Sequence, residues 1–145
     1  MTILIRLGRL LRSMKTHLIE IAPILNLPTD AIQRMHGVNY EQCEAILLSE
    51  IEERCGGAVD GRASPSEIYE VLEPCLTEEE QGCLPPMDRI QSGPPPAIVR
   101  SLDACFANAP RALRTLESFG DNYIVLLVPR AKLSEFDHAA RFWAV

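Results

Sequence analysis

Hydrophobic and polar residues follow two different rhythms along this chain. Up to about residue 110, apolar side chains recur every three or four positions, which is the spacing of amphipathic helices. Towards the C-terminus the pattern becomes an unbroken apolar run, "YIVLLV" at 123–128, which follows a Gly-Asp-Asn cluster and stops at Pro129. A short apolar run rich in β-branched residues predicts a strand buried on both faces. The two rhythms together predict a mainly helical α+β protein.

The helical part begins with three predicted helices. The first covers residues 2–20 and carries leucines on one face and arginines on the other. A short second helix follows, with Thr29 as its N-cap and Gly37 as its stop. The third begins after the N-cap Asn39 and ends at Gly56 and Gly57. Its acidic residues are expected to face water: Glu41, Glu44, Glu50, Glu52 and Glu53.

Two capping boxes mark the next helical turns. "SPSE" places Ser64 at an N-cap with Glu67 three residues later, and "TEEE" repeats the arrangement with Thr77 and Glu80. A further helix is predicted to bury one apolar stripe and to end by Pro110. The stripe consists of Ile98, Leu102, Cys105 and Phe106.

The apolar strand needs partners, because a lone strand leaves its backbone hydrogen bonds unsatisfied. We expect it to form a hairpin with 112–117 through the loop "SFGDN", with Gly120 or Asn122 at positive φ. Because the strand is apolar on both faces, it should be the central one and be covered by helices. Residues 131–140 then predict a helix, with 141–145 as a possible edge strand.

Chain length and composition indicate a single domain over residues 1–145. A chain of 145 residues with 47% hydrophobic and 23% charged residues has the balance of one globular core. The proline-rich segment 84–96 is interpreted as a long surface loop rather than a linker. Residues 1–13 have three interpretations: a core-packing helix, a helix lying on an anionic membrane, or a dispensable extension upstream of a start at Met14.

Charge is distributed unevenly and points to a basic protein partner. Residues 1–15 carry four basic residues and no acid, whereas the rest has ten basic and twenty acidic residues, a net of −10. Such a body repels nucleic acid, whose phosphates require Lys and Arg. The sequence contains no apolar run long enough to span a membrane. Five cysteines, an odd number at irregular spacing, are typical of reduced thiols in a cytoplasmic protein.

Patterns that would indicate an enzyme or a cofactor site do not occur in the sequence. It contains no G-x-S-x-G, no H-x-x-x-H and no phosphate-binding loop. Asp137 and His138 are adjacent, but neighbouring helical residues point about 100° apart and do not form a dyad by adjacency. We therefore predict no enzyme activity, no cofactor, no metal and no small-molecule ligand.

The C-terminal segment resembles a known group of proteins. An apolar strand entered through "GDNY", left through "VPR" and followed by an amphipathic helix, over residues 112–140, resembles the end of small bacterial immunity proteins of polymorphic toxin systems. The resemblance implies a cytoplasmic inhibitor that binds a cognate toxin, and a basic toxin would suit the charge of this chain.

The sequence accordingly favours a protein-binding module over its alternative. The alternative is a small enzyme or ligand-binding domain whose site is assembled from dispersed residues, with Asp137 and His138 in a cleft. For the protein-binding module, the candidate partner-binding residues are the two densest acidic clusters: Glu52, Glu53, Glu78, Glu79 and Glu80.

Overall fold

A computed structural model of the chain describes residues 3–118 and 122–145, with side chains from residue 6 onward. This part of the chain forms seven α-helices and three strands. The helices are α1 (Ile3–Ile24), α2 (Thr29–His36), α3 (Tyr40–Arg54), α4 (Pro65–Leu72), α5 (Glu78–Gln81), α6 (Pro95–Cys105) and α7 (Leu133–Ala139). The strands are β1 (Gly56–Asp60), β2 (Arg111–Glu117) and β3 (Asn122–Pro129). The mainly helical α+β class predicted from the sequence is confirmed.

The three strands form one antiparallel sheet with β3 at its centre, in the order β1-β3-β2. The predicted hairpin is present, with Leu113 opposite Leu127 and Thr115 opposite Val125. The predicted positive φ at Asn122 is wrong, because Asn122 is the first residue of β3. Gly120, the other candidate for positive φ, lies outside the described residues.

Helices cover both faces of the sheet. Alternate residues of a strand point to opposite faces. On one face, Val71 of α4 packs over Gly57 of β1. On the other, Leu18 of α1 and Leu47 of α3 lie with Ile124 of β3. Residues 124–128 of β3 are all buried, as expected for a central strand between two helical layers.

The strand β1 was missed in the sequence, where Gly56 and Gly57 were interpreted only as the end of a helix. The helix does end there, at Arg54, but the two glycines begin a strand that pairs with β3. A Cβ at Gly56 would overlap the carbonyl oxygen of Val125 and lie 2.8 Å from Leu126 Cα. The absence of a side chain therefore allows the two backbones to approach. Because glycine has a low strand propensity, the sequence pattern did not indicate that Gly56 and Gly57 begin a strand.

Several predicted helix ends need correction. The first helix runs beyond residue 20 to Ile24, with Pro23 in its last turn. Pro28, and not Thr29, occupies the N-cap position of α2. The caps Asn39 and Ser64 are confirmed, since both side chains accept a backbone N–H of the first turn. Glu67 does not return the bond to the Ser64 backbone; its carboxylate instead accepts from the Ser64 hydroxyl at 3.4 Å.

The apolar stripe of α1 is buried only in its second half. Leu18 is buried and Met14 packs partly against the core. Leu7 and Leu10, one to two turns earlier, are 48% and 50% exposed. Lys15 ties the middle of the helix to the end of α2 through a 3.0 Å hydrogen bond to the His36 carbonyl. The outer end of α1 thus contributes little to the core.

The remaining segments follow the predictions in part. The proline-rich loop is irregular apart from a single 3₁₀ turn, Met87–Arg89, and its last two prolines, Pro95 and Pro96, start α6. Cys105 lies at the exposed end of α6, so its predicted place on the buried stripe is wrong. The C-terminal residues reach the sheet through one isolated bridge between Ala144 and Leu116 rather than through a full strand.

Candidate functional site

The negative charge of the chain is concentrated between the end of α3 and α5. Residues 50–80 contain ten acidic residues and two basic ones, a net of −8. Six of the acidic side chains are exposed and form neither an ion pair nor a side-chain hydrogen bond within the described ranges 3–118 and 122–145. We call this set the acidic face: Glu52, Glu53, Glu70, Glu73, Glu78 and Glu79.

Contacts at the start of β1 hold the segments of the acidic face together. A Cβ on Gly57 would lie 3.8 Å from Glu52 Cγ and 2.9 Å from a Val71 methyl group, so the end of α3 and α4 meet there. The Gly56 backbone lies beside the Cys75 thiol and partly offsets the rise in its pKa caused by burial, so β1 is next to the segment just before α5. The acidic clusters of α3 and α5, far apart in sequence, therefore flank the same part of the fold.

Glu80 does not belong to this exposed surface, and its predicted exposure is wrong. Its side chain is 0% exposed and accepts two hydrogen bonds from Arg111 of β2, at 2.5 and 2.8 Å. It also accepts the Thr77 N–H at 3.0 Å, which completes the predicted capping box. Arg111 makes a further bond of 2.7 Å to the Cys75 carbonyl. Glu80 is thus a structural anchor that fixes α5 and leaves Glu78 and Glu79 outside.

The electrostatics of this buried pair keep both groups charged. Burial alone would raise the pKa of Glu80, but hydrogen bonds from Arg111 and from the Thr77 backbone outweigh it and lower the pKa. The hydrogen bond to Glu80 in turn raises the pKa of Arg111 against the opposing effect of burial. The carboxylate and the guanidinium therefore remain an ion pair at neutral pH.

A second acidic residue predicted to face water is also buried. Glu50 lies on the inner side of α3 and is 9% exposed. It accepts bonds from Arg54, one turn later, at 3.1 Å and from Arg34 of α2 at 3.4 Å. Because of these partners, Glu50 links α2 to α3 and takes no part in the acidic face.

The largest change from the sequence interpretation is a cleft at the outer edge of β2, the edge that does not pair with β3. It has a volume of about 410 Å³ and lies between α6 on one side and α7 on the other. We call it the β2-edge cleft. Its apolar walls come mainly from Val99, Leu113, Leu116, Phe136 and Ala140, and its charged side chains are Arg100, Asp103, Arg114 and Asp137. Ala144 and Val145 also line it.

Arg114 bridges the two carboxylates of the β2-edge cleft. Its Nε and Nη2 atoms donate to Asp137 of α7 at 2.9 and 3.2 Å. Its Nη1 atom donates to Asp103 of α6 at 3.4 Å and to the Leu113 carbonyl at 3.0 Å. These bonds, led by those to Asp137, raise the pKa of Arg114. The ion pairs join the two helices that form the walls.

Asp137 and His138 do not form a catalytic dyad. Asp137 lines the β2-edge cleft and is engaged by Arg114. His138 lines a separate shallow depression with Glu20, Lys132 and Glu135. The divergence follows from the helical rotation between neighbouring residues. Both residues are exposed, and the Asp137 carboxylate accepts from Arg114 through both of its oxygens.

The five cysteines are free thiols with different environments. Burial raises the pKa of Cys55 to about 12 and also raises the pKa values of Cys43 and Cys75. A thiol with a raised pKa contains little thiolate at neutral pH and is a weak nucleophile. These three side chains act as small core residues.

Sequence reasoning missed Arg111, which anchors α5 next to the acidic face, and Arg114, which joins the walls of the β2-edge cleft. Arg111 and Arg114 lie on one strand with an odd separation, so they point to opposite faces of the sheet. A basic residue within a predicted strand of an acidic chain was the available signal. Their partners, 31 and 11 or 23 positions away, are brought close only by the tertiary fold.

The described part of the chain has neither a metal-binding cluster nor a membrane-spanning helix. No group of three or more His, Cys, Asp or Glu residues there is arranged to hold a metal ion. No helix among these residues is both long enough and apolar enough to cross a bilayer.

Comparisons with known proteins add no relative to this description. No family model matches the chain, and neither a curated protein nor a solved structure shows significant similarity to it.

Proposed function

We propose that this chain is a protein-binding domain whose acidic face covers a basic surface of a partner protein. The observation that carries the proposal is the acidic face itself, six exposed carboxylates without an ion pair in the described residues. Surface charges of this kind change the stability of a fold by only about ±0.5 kcal/mol each. Their concentration is better explained by association, since a one-sign surface steers an oppositely charged partner.

The proposed partner is a cognate toxin, and the proposed activity is its inhibition in the bacterial cytoplasm. Two features support this partner. One is the resemblance of residues 112–140, a range that includes most of β2 and all of β3 and α7, to the end of immunity proteins. The other is charge, since toxins that act on nucleic acid are commonly basic. A reducing compartment also suits five free thiols.

The first experiment tests whether such a partner exists. The tagged protein is co-expressed with the product of the adjacent reading frame, and the purified complex is isolated by affinity capture. We expect a stoichiometric complex that suppresses the activity of the neighbouring protein. A neighbour that neither binds nor is inhibited would contradict the toxin partner.

Charge reversal then tests the acidic face. Glu52→Lys with Glu53→Lys and, separately, Glu78→Lys with Glu79→Lys should lower the association rate constant about tenfold at low salt. They should also flatten its salt dependence and leave dissociation largely unchanged. A matched control reverses two exposed acids elsewhere, Glu117 and Glu135. Association that is equal in all three variants would remove the acidic face from the mechanism.

Truncation tests the basic end of α1. Leu7 and Leu10 are half exposed, and a Cβ at Gly8 would contact nothing within 4 Å. A chain that begins at Met14 should therefore remain folded and bind the partner with unchanged affinity. Lost binding with an intact fold would instead assign the outer turns of α1 to the interface.

A further inference from the structure

The outer turns of α1 expose a strip of side chains that is both apolar and basic. We call it the basic strip: Arg6, Leu7, Arg9 and Leu10. Its two leucines belong to the apolar stripe of α1 that is buried further along at Leu18, but about half of each leucine side chain is open to solvent. Its two arginines are exposed and form no ion pair in the described part of the chain. The first turn of α1 contains no acidic residue to offset the positive end of the helix dipole.

A groove of the opposite charge begins beside the basic strip. It has a volume of about 590 Å³ and lies between α1 and the start of α3. We call it the α3 groove, and the described residues that line it are Leu11, Asn39, Tyr40, Glu41 and Glu44. Leu11 follows Leu7 by one helical turn on the same face of α1. The strip and the groove are therefore neighbours on one side of the molecule.

The two carboxylates of the α3 groove can accept further partners. Glu41 is exposed and forms neither an ion pair nor a side-chain hydrogen bond within residues 3–118 and 122–145. Glu44 accepts the Tyr40 hydroxyl at 2.8 Å through one oxygen, and its other oxygen remains available. Beside these charges, Leu11 and Tyr40 give the groove an apolar lining. This combination suits a segment that presents leucine and arginine together.

The basic strip is such a segment, but it does not reach the groove of its own chain. None of the ion pairs among the described residues joins Arg6 or Arg9 to Glu41 or Glu44. A second copy of the chain supplies the missing contact. If two copies meet about a twofold axis near Leu11, each strip faces the groove of the other copy, and an isologous contact of this kind closes as a dimer.

Charge favours a second copy over a lipid surface. An anionic bilayer also attracts basic amphipathic helices. It would, however, bring Glu41 and the rest of the chain, residues 16–145 with a net charge of −10, towards a surface of the same sign. A second copy instead places opposite charges together on both sides of the contact.

We propose that this chain forms a twofold dimer in which the basic strip of each copy docks in the α3 groove of the other. The leucines of the strip pack on Leu11 and Tyr40, and its arginines pair with Glu41 and Glu44. The surface is small, so the dimer should be weak, with a Kd of about 10–100 µM. The contact does not involve the acidic face, and the proposal does not depend on a toxin partner.

Sedimentation velocity of the full chain tests the dimer. Samples from about 5 to 500 µM span the expected Kd. We expect a reversible equilibrium between a monomer of 16.1 kDa and a species of twice that mass. Raising the salt from about 50 to 500 mM shortens the Debye length about threefold and should weaken the dimer. A chain that remains monomeric at the highest concentration, or one that forms species larger than a dimer, would overturn the proposal.

Complementary charge reversals test the pairing between copies. Arg6→Glu with Arg9→Glu and, separately, Glu41→Arg should each weaken dimerisation about tenfold or more, because like charges then meet across the contact. An equal mixture of the two variants should recover an affinity near that of the wild type, because each reversed group then meets its opposite. Arg62→Glu with Arg89→Glu, at exposed sites elsewhere, changes the net charge as much as the strip variant and should leave the Kd nearly unchanged.

Three further results would contradict the proposed contact. The first is an unchanged Kd in the folded reversal variants, or no recovery in their mixture, with folding checked by thermal melts. The second is loss of the dimer in Glu52→Lys with Glu53→Lys, which would place the contact on the acidic face. The third is a monomeric chain that co-sediments with vesicles of equal parts phosphatidylcholine and phosphatidylglycerol, which would make a lipid surface the occupant of the basic strip.

Discussion

Two arginines three residues apart on β2 both bind carboxylates, but one carboxylate is buried and the others are open to solvent. Arg111 points to the α4 side of the sheet and donates twice to Glu80, which is fully buried. Arg114 points to the other face and reaches round the strand edge to Asp103 and Asp137, which are both partly open to solvent. The chemical groups are the same, and the burial of the acid is what differs.

The difference separates a structural ion pair from a pair that shapes a site. Removing one partner of a buried pair leaves an uncompensated charge and costs about 3–5 kcal/mol. A solvent-reachable pair is worth about 1 kcal/mol or less. Arg111 and Glu80 therefore fix how α5 is attached, whereas Arg114 holds the walls of the β2-edge cleft without being essential to the fold.

The largest loss of stability should come from a change that disrupts β3, because β3 joins β2 and its two arginines to the core. Leu126 of β3 is fully buried and lies opposite Arg114. Leu126→Asp places a carboxylate in an apolar setting where the nearest guanidinium is already bonded, at a cost of more than about 4 kcal/mol. We expect loss of the cooperative thermal transition by circular dichroism. Asn122→Asp, an exposed change on the same strand, is the control, and a near-native melting temperature for Leu126→Asp would contradict a central β3.

The next largest effect should separate the two ion pairs directly. Glu80→Gln keeps the shape of the side chain but leaves Arg111 without its counter-charge. The free energy of unfolding, measured by urea denaturation, should fall by about 3 kcal/mol. If the free energy of unfolding fell by less than about 1 kcal/mol, the Glu80–Arg111 pair would contribute no more than a solvent-exposed pair, and the two arginines would not differ in their structural role.

Acid titration provides a smaller test of the same contrast. The lowered pKa of Glu80 means that the unfolded chain binds this proton more readily. The pair's contribution is thus present above the unfolded pKa of about 4.3 and is lost as pH falls through the lower, folded value. Below pH 4.3 the wild-type curve should be steeper than that of Glu80→Gln by up to about 1.4 kcal/mol per pH unit. Parallel curves would show that the Glu80 pKa is not lowered by folding.

Local patterns in the sequence predicted the elements that depend on neighbouring residues. The central strand, its hairpin partner and the caps at Asn39, Ser64 and Thr77 follow from β-branched runs and short-range hydrogen bonds. The strand β1 was missed because its identity depends on contact with β3, about 70 positions away, where Gly56 is needed for its missing Cβ.

Side-chain burial within acidic clusters was the harder problem. Glu78, Glu79 and Glu80 are adjacent and chemically identical, yet only the third turns inward, because the capping box fixes its direction and Arg111 meets it there. The sequence shows the box but not the arginine. The β2-edge cleft was missed for the same reason, since its groups come from 96–103, 113–116 and 136–145 and meet only in the folded chain.

The smallest predicted effect completes the comparison between the two arginines. Asp137→Asn removes the charge that Arg114 contacts through two bonds, but Asp103 remains to compensate it, and water reaches the pair. The free energy of unfolding should therefore fall by less than about 1 kcal/mol, and the loss should shrink further as salt is raised to 1 M, where the Debye length is about 3 Å. Urea denaturation at low and high salt measures both values, with Glu80→Gln in parallel as the salt-insensitive reference. A loss as large as that of Glu80→Gln, or one unaffected by salt, would mean that Arg114 is also a buried structural anchor and that the cleft is less open than its geometry indicates.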